Sequence, residues 1–382
     1  MREPLHIGII SVLFDRKPEG ICTGRFIRAL LSSGHRVTLW TSSKADLAFQ
    51  HENFQVFSVP SGVRSPRWLF NLAARWSGDI PNNFFLWSRE IARLLPGKDK
   101  PDLIYARSWP HASLVAGYNL AQQIDTPLLL HFSDPFHQDG KEGASFTRDL
   151  QKIVDFSCGV TFTNRQSLQF QKKYLNIKDD KGFVLNHVAT PSRFFGKPSN
   201  PQRFVHIGTV SRHRPADPLL AGFALYNKKY PQSRLCFIGN VQGYLQPLVE
   251  KMGLSGCVDI LPFTKEVDRV MFEAGVLVCL DAKMDEPLFT PTKIIEYLLC
   301  DRPILAVTPA GSPVAELLER SPLTTVAVTT YSPENISSGF SQAAEISYVE
   351  DNFRHRFASM DDFSANSVCK DFMGICRKVL IR

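Results

Sequence analysis

Lys293 and Glu296 stand three residues apart in the stretch FTPTKIIEYLLCDRPILAV, a spacing that puts both on one face of an otherwise apolar helix. The preceding VLVCLD (276–281) reads as a strand and AKMDEPLF as a long connecting loop. Thr290 suits the N-cap, Pro291 suits the first helical position, and the helix is expected to run to Cys300. Open α/β sheets bind ligands at loops that follow the carboxyl ends of their strands. First-turn amides, the helix dipole and the Lys293 charge would there receive a phosphate, while the Glu296 carboxylate can accept hydrogen bonds from a pair of sugar hydroxyls. The same spacing also fits an ordinary surface ion pair worth ~0.3 kcal/mol.

Three other stretches carry chemistry-bearing residues. In HIGTVSRHRP a strand ends at Gly208 and is followed by Arg212, His213 and Arg214, a set that can grip phosphate oxygens or form a solvated basic loop. PEGICTG places Gly20 and Gly24 between the first strand and its helix without the dinucleotide G-x-G-x-x-G spacing, so this is either a close-approach loop or a plain turn. LLLHFSDPFHQDG puts His131 at a strand end, followed by Asp134, His137 and Asp139. A histidine there can be a polar contact, a base or a metal ligand, but no metal spacing is present and a lone histidine is more often structural. The aromatic and arginine-rich segment 64–87, with Trp68 and Trp76, can lie at a membrane interface, hold a lipid-linked or aromatic substrate, or form helices packed on the first domain's sheet.

These residues need a scaffold, and the sequence describes one. Short apolar runs alternate with longer amphipathic stretches, the rhythm of βα units around a parallel sheet. Strands are expected at 6–11, 36–42, 54–59, 102–106, 127–132, 159–163 and 183–187, then at 203–208, 234–239, 258–261, 276–281, 303–307 and 325–328. PSRFFGKPSNPQ (191–202) separates the two series, so two doubly wound α/β domains are expected, with a terminal helix spaced by Val368, Phe372, Cys376 and Val379.

Composition narrows the class. With 382 residues, 44% hydrophobic and 21% charged, the chain reads as globular and long enough for two cores. A net charge of +7 favours anionic partners, but the basic residues are scattered and follow no nucleic-acid recognition spacing. Eight dispersed cysteines without C-x-x-C pairs read as reduced buried thiols. The N-terminal apolar run is too short to span a bilayer and ends in Asp15, Arg16 and Lys17, so it reads as a buried strand in a cytoplasmic or at most peripheral protein.

The order of these motifs resembles the family 4 glycosyltransferases, retaining enzymes of the GT-B fold with two facing Rossmann-like domains. The likeness runs over nearly the whole chain. LLSSGHRVTLWTS is similar to the family's first helix and second strand, and PDLIYARS and PLLLHFSD to its middle strands. VDFSCGVTFTNRQS and FVLNHVAT are similar to the last strands of the first domain; FVHIGTVSRHRP, GLSGCVDILPFT and PTKIIEYLLCDRPILAV follow in the family's order in the second.

The resemblance implies an acceptor-binding domain over 1–196, onto which a helix at 362–382 packs back, and a donor-binding domain over 197–361. It implies that Glu296 binds the ribose of the nucleotide, that Arg214 with Arg212 contacts the donor diphosphate, and that His131 lies beside the donor sugar. The Gly20 to Gly24 loop would face the diphosphate, Lys293 would be the lysine of a P-S/T-K-x-x-E-Y variant found in polysaccharide-building members, and Gly208, Thr290 and Thr292 would complete the donor site. His131, Arg214 and Lys293 are the expected catalytic groups. The chain departs from the family at Leu288, where an acid often contacts the donor sugar and for which Asp285 or Glu286 could substitute, and at Thr209, where an arginine is usual.

The expected activity is transfer of a sugar from a nucleoside diphosphate sugar to a saccharide or lipid-linked acceptor with retention, in polysaccharide or glycoconjugate biosynthesis. It would need no metal, no cofactor beyond the donor and no nucleic acid, and would take place in the cytoplasm or at the inner membrane surface. Three alternatives compete: an inactive relative that binds nucleotide sugar or a partner, a sugar-nucleotide epimerase, and a peripheral membrane adaptor.

Overall fold

The computed structural model describes residues 4–381 except 16, 43–48, 60–71, 73–79, 81, 83, 95–98, 138, 139, 141, 193, 212, 213, 240 and 241. The chain divides into two compact units, Met1–Val188 with Ser364–Arg382, and Ala189–Phe363.

The first unit is built on a seven-stranded parallel sheet: β1 (His6–Ile10), β2 (Arg36–Thr41), β3 (Phe54–Ser58), β4 (Leu103–Arg107), β5 (Leu128–Phe132), β6 (Gly159–Phe162) and β7 (Gly182–Val184). The strand order is β3-β2-β1-β4-β5-β6-β7. Period-two alternation sends successive side chains to opposite faces. In β4, Ile104 and Ala106 join one core with Leu114 and Val115, while Leu103 and Tyr105 join the other with Phe26 and Phe372. Helices α1 (Lys17–Ser32), α2 (Phe85–Arg93), α3 (Ala112–Ile124), α4 (Ala144–Phe156) and α5 (Arg165–Gln171) lie between the strands in sequence. Both faces are therefore covered, which is why the strands read as continuous apolar runs.

The second unit repeats the plan with β8 (Arg203–Ile207), β9 (Arg234–Ile238), β10 (Val258–Leu261), β11 (Val276–Leu280), β12 (Ile304–Val307) and β13 (Thr325–Val328), ordered β10-β9-β8-β11-β12-β13. Its helices are α6 (Asp217–Lys229), α7 (Gln242–Lys251), α8 (Val267–Glu273), α9 (Thr292–Leu298), α10 (Pro313–Glu319), α11 (Pro333–Glu345) and α12 (Glu350–Ser359). The last helix, α13 (Ala365–Leu380), returns to the first unit: Phe372 meets Phe26 edge-on at 5.0 Å, and the Ser364 hydroxyl caps the helix by accepting from the Ser367 amide.

All thirteen expected strands are present, with ends that differ by a few residues. Two local expectations are corrected. Gly20 and Gly24 lie inside α1 and not in a loop. A Cβ on Gly24 would sit 1.9 Å from the Asp15 carboxylate, so the glycines let the turn after β1 fold tightly against the helix, where Asp15 pairs with Arg28 at 2.5 Å. Helix α9 is shorter than expected. Pro291, at φ −58° and ψ 130°, is its N-cap and not its first residue, and the N-cap makes no side-chain capping hydrogen bond. At the other end the Arg356 guanidinium takes the Leu298 and Cys300 carbonyls, which ends the helix before Cys300.

Candidate active site

Both sheets reverse their strand order next to their first strand, between β1 and β4 in one unit and between β8 and β11 in the other. The carboxyl ends flanking such a reversal form the crevice in which doubly wound folds bind ligands.

In the second unit that edge is bare backbone. Gly208 follows β8 at φ +156° and Gly239 follows β9 at φ +144°; a Cβ on Gly239 would lie 2.4 Å from the Gly208 carbonyl oxygen. Only glycine fits there, and the neighbouring strand ends can come close to a ligand. Helix α9 is fastened to the same place. The β8–β11 ladder stops at Val205, and the buried Tyr297 hydroxyl accepts from the Ile207 amide at 2.8 Å and donates to the Ile207 carbonyl at 3.3 Å. Lys293 and Glu296, carried by that helix, pair at 2.5 Å, with side chains 32% and 9% exposed.

The ion pair and the ligand-site reading of these two residues are therefore compatible. Glu296 is held with its carboxylate mostly enclosed, and Lys293 reaches toward solvent one turn away.

Beneath this edge lie two buried titratable groups absent from the sequence expectations. Asp281 follows β11 and accepts from the Thr308 hydroxyl at 2.8 Å and the Ala282 amide at 2.7 Å. Burial raises its carboxyl above the ordinary range, while Thr308, Ala282 and the nearby positive charge of Arg214 pull the other way. His206 in β8 bonds the Val278 carbonyl through Nδ1 at 3.0 Å, and its buried Nε2 has no partner. Burial lowers it to about 4, with Arg214 contributing, so the ring is neutral at pH 7. Arg214 thus stands close enough to act electrostatically on the ends of both β8 and β11. Arg212 and His213 lie outside the described residues. Leu288 is buried, whereas Thr209, Asp285 and Glu286 are exposed.

In the first unit the reversal is lined by polar groups. Arg107 ends β4, is 2% exposed, and donates Nε to Thr23 at 3.2 Å and Nη2 to Glu19 at 3.5 Å. Its guanidinium also lies 5.3 Å from the Phe26 ring centre and 5.5 Å from that of Tyr105. Burial pushes the Glu19 carboxyl up to about 7 against the attraction of Arg107. His131, near the end of β5, bonds Thr161 through Nδ1 at 2.9 Å, and its Nε2 is buried without a partner. Burial, with Arg107 and His187 beside it, holds its pKa well below the ordinary histidine value. A neutral imidazole with a vacant nitrogen can accept or donate one hydrogen bond, according to its tautomer.

His137 has a structural role: its ring meets Thr147 at 2.8 Å and Gln171 at 3.2 Å and stacks on Tyr174. Asp139, Trp68 and Trp76 lie outside the described residues. Sequence reasoning passed over Glu19, Thr23, Arg107, His206, Gly239, Asp281 and Tyr297. A usable signal was available for some of them, because Arg107, Gly239 and Asp281 are polar or glycine residues at the ends of apolar strands.

Among the described residues no helix is long and apolar enough to cross a membrane. No curated protein matches the sequence. Residues 20–154 match the family described as glycosyl transferase 4-like domain. Among solved structures, HepE of Anabaena, seen with UDP and glucose, is similar at 15% identity and a TM-score of 0.73 over 98% of this chain and 99% of that one. A glycosyltransferase from Rickettsia africae is similar at 14% identity and a TM-score of 0.68 over 99% of each chain. WaaG, a glycosyltransferase involved in lipopolysaccharide biosynthesis, is similar at 13% identity and a TM-score of 0.61 over 98% of each. Residues 20–154 thus carry a glycosyl transferase 4-like domain, and along its length the chain has the two-sheet α/β GT-B fold of these solved glycosyltransferases.

Proposed function

We propose that the chain moves a sugar from a nucleoside diphosphate sugar to an acceptor hydroxyl with retention of configuration, in the building of a cell-surface polysaccharide or glycoconjugate. The donor lies on the second unit, and the acceptor is held by the first. One observation carries the reading: the glycine-bare carboxyl edge at Gly208 and Gly239, to which Tyr297 ties the helix bearing Lys293 and Glu296. Structures of HepE with UDP and with UDP-glucose support the donor class.

In this reading Glu296 accepts from the ribose hydroxyls, and Lys293, Arg214, Arg212 and the backbone at Gly208 meet the diphosphate, with Thr290 and Thr292 beside it. When the anomeric carbon–oxygen bond breaks, its electron pair passes to the departing phosphate, and these positive groups stabilise charge where it develops. The acceptor oxygen bonds the anomeric carbon on the same face, its proton passing to a leaving phosphate oxygen. His131, neutral and with Nε2 vacant, offers one hydrogen bond to a sugar hydroxyl. The chemistry uses no metal.

A second reading, a relative that binds nucleotide sugar without turning it over, is favoured by the buried Leu288 in place of an acid. Thermal shift with UDP, GDP and ADP tests donor binding: a ligand at 100 times its Kd stabilises the fold by about 2.7 kcal/mol. Lys293→Ala is expected to keep the fold and lower transfer by about 100-fold, the effect of removing one charge-stabilising group. No shift with any nucleoside diphosphate would overturn both readings, and binding without transfer or donor hydrolysis would leave the second. Donor isomerised in the absence of acceptor would identify an epimerase.

A further inference from the structure

We propose that the carboxyl edge of the first sheet is the acceptor subsite and that it takes a neutral pyranose, with Trp109 as the stacking face and Glu19 as the hydroxyl acceptor. The proposal rests on the glycosyl-transfer reading and names the acceptor class for it. Trp109 comes two residues after Arg107, at the same strand end. Its ring stands edge-on to the buried Phe136 at 5.1 Å, which fixes it, and the residue remains 37% exposed. An aromatic ring held this way presents an apolar face to the C–H side of a sugar ring.

Polar groups to match the other side of a sugar are gathered beside it. The Ser108 carbonyl, adjacent to Trp109, accepts from the Ser133 hydroxyl, and Ser133 is also a hydrogen-bond partner of Glu19. With Ser133, Arg107 and Thr23 make three partners for the Glu19 carboxylate, which has about four acceptor sites, and the contacts from Arg107 and Thr23 are 3.5 Å, the outer limit of a hydrogen bond, so it keeps capacity for a closer donor. The His131 imidazole, 1% exposed, keeps Nε2 without a protein partner near the end of the adjacent strand β5.

The charges decide what fits. An anionic acceptor group would meet the carboxylates of Glu19 and Asp134, whose fields already interact. A cationic group would meet Arg107. A neutral polyol satisfies both, donating to Glu19 and accepting from the guanidinium, and it leaves no charge unbalanced in a partly desolvated site. Arg107 acts as a positioning residue that holds Glu19 at the edge.

Saturation-transfer NMR on the full chain tests this with methyl glycosides of glucose, galactose, mannose and N-acetylglucosamine, alongside glucuronic acid and glucose 6-phosphate. The expected result is binding of at least one neutral glycoside, weakened at least tenfold by Trp109→Ala and by Glu19→Gln and retained by Trp109→Phe. The proposal is overturned if none of the neutral glycosides binds, if the anionic sugars bind better, or if Trp109→Ala and Glu19→Gln bind as the native chain does. UDP, GDP and ADP thermal shifts run in parallel, so that a failed acceptor site with an intact nucleotide response is distinguished from failure of the transfer reading itself.

Discussion

Replacing Glu19 by glutamine should stabilise the first unit above neutral pH and change little at pH 5. Burial raises this carboxyl from 4.5 to about 7, opposed by Arg107 and by hydrogen bonds from Ser133 and Thr23. Because the folded-state pKa is the higher one, protonation favours folding fully below 4.5, and that contribution is lost as pH rises through 7. The interval is worth about 3 kcal/mol at 1.36 kcal/mol per pKa unit, most of it lost between pH 5 and pH 8. With 12% of the Glu19 side chain still exposed to screening water, about 2 kcal/mol is the working figure. Glutamine keeps the shape and the hydrogen bonds but has no charge to desolvate. The stability gap between Glu19→Gln and the native chain should therefore widen by about 2 kcal/mol from pH 5 to pH 8. All five tryptophans (Trp40, Trp68, Trp76, Trp87 and Trp109) fall within Met1–Val188, so urea unfolding followed by tryptophan fluorescence reads the first unit alone. A gap that stays constant, or a variant less stable at pH 8, would show that the Arg107 attraction outweighs burial and would refute the reasoning.

Two substitutions in the second unit separate scaffold from site. Gly239→Ala should destabilise by about 2 kcal/mol, because it combines a positive φ with a Cβ placed 2.4 Å from the Gly208 carbonyl oxygen. Gly243→Ala, in α7 with open space around its Cβ, should be neutral or stabilise by about 0.5 kcal/mol, and calorimetry on the pair checks both. Tyr297→Phe should cost about 2 kcal/mol by leaving the buried Ile207 amide unpaired, and it should weaken nucleoside diphosphate binding in titration calorimetry as α9 loses its tether.

The frame was legible in the sequence because its signals are local. A strand covered on both faces needs a short apolar run, and VLVCL or LIYAR supplies one without reference to anything distant. The spacing of Lys293 and Glu296 was equally local, and their pairing follows from helical geometry alone. Gly20 and Gly24 misled because a glycine signals either a loop or a place where another backbone packs, and only the position of Asp15 decides between them. Glu19 and Arg107 are 88 residues apart, and nothing near either residue announces the other.

Helix α9 shows where local reading had to stop. Seven residues whose N-cap makes no side-chain capping hydrogen bond cannot hold a helix by themselves, since nucleation is unfavourable and isolated helices of this length are marginal in water. Two long-range polar contacts hold it in place. Tyr297 fastens it to Ile207, 90 residues away, and Arg356 takes the carbonyls at its far end from 56 to 58 residues away. Both donors are buried, so each bond is made in a low-dielectric surrounding where leaving its partner unpaired is costly. The positions of Lys293 and Glu296 at the strand edge are thus set by a hydroxyl and a guanidinium from elsewhere in the second unit. The motif supplies the charges, and those two side chains decide where they point.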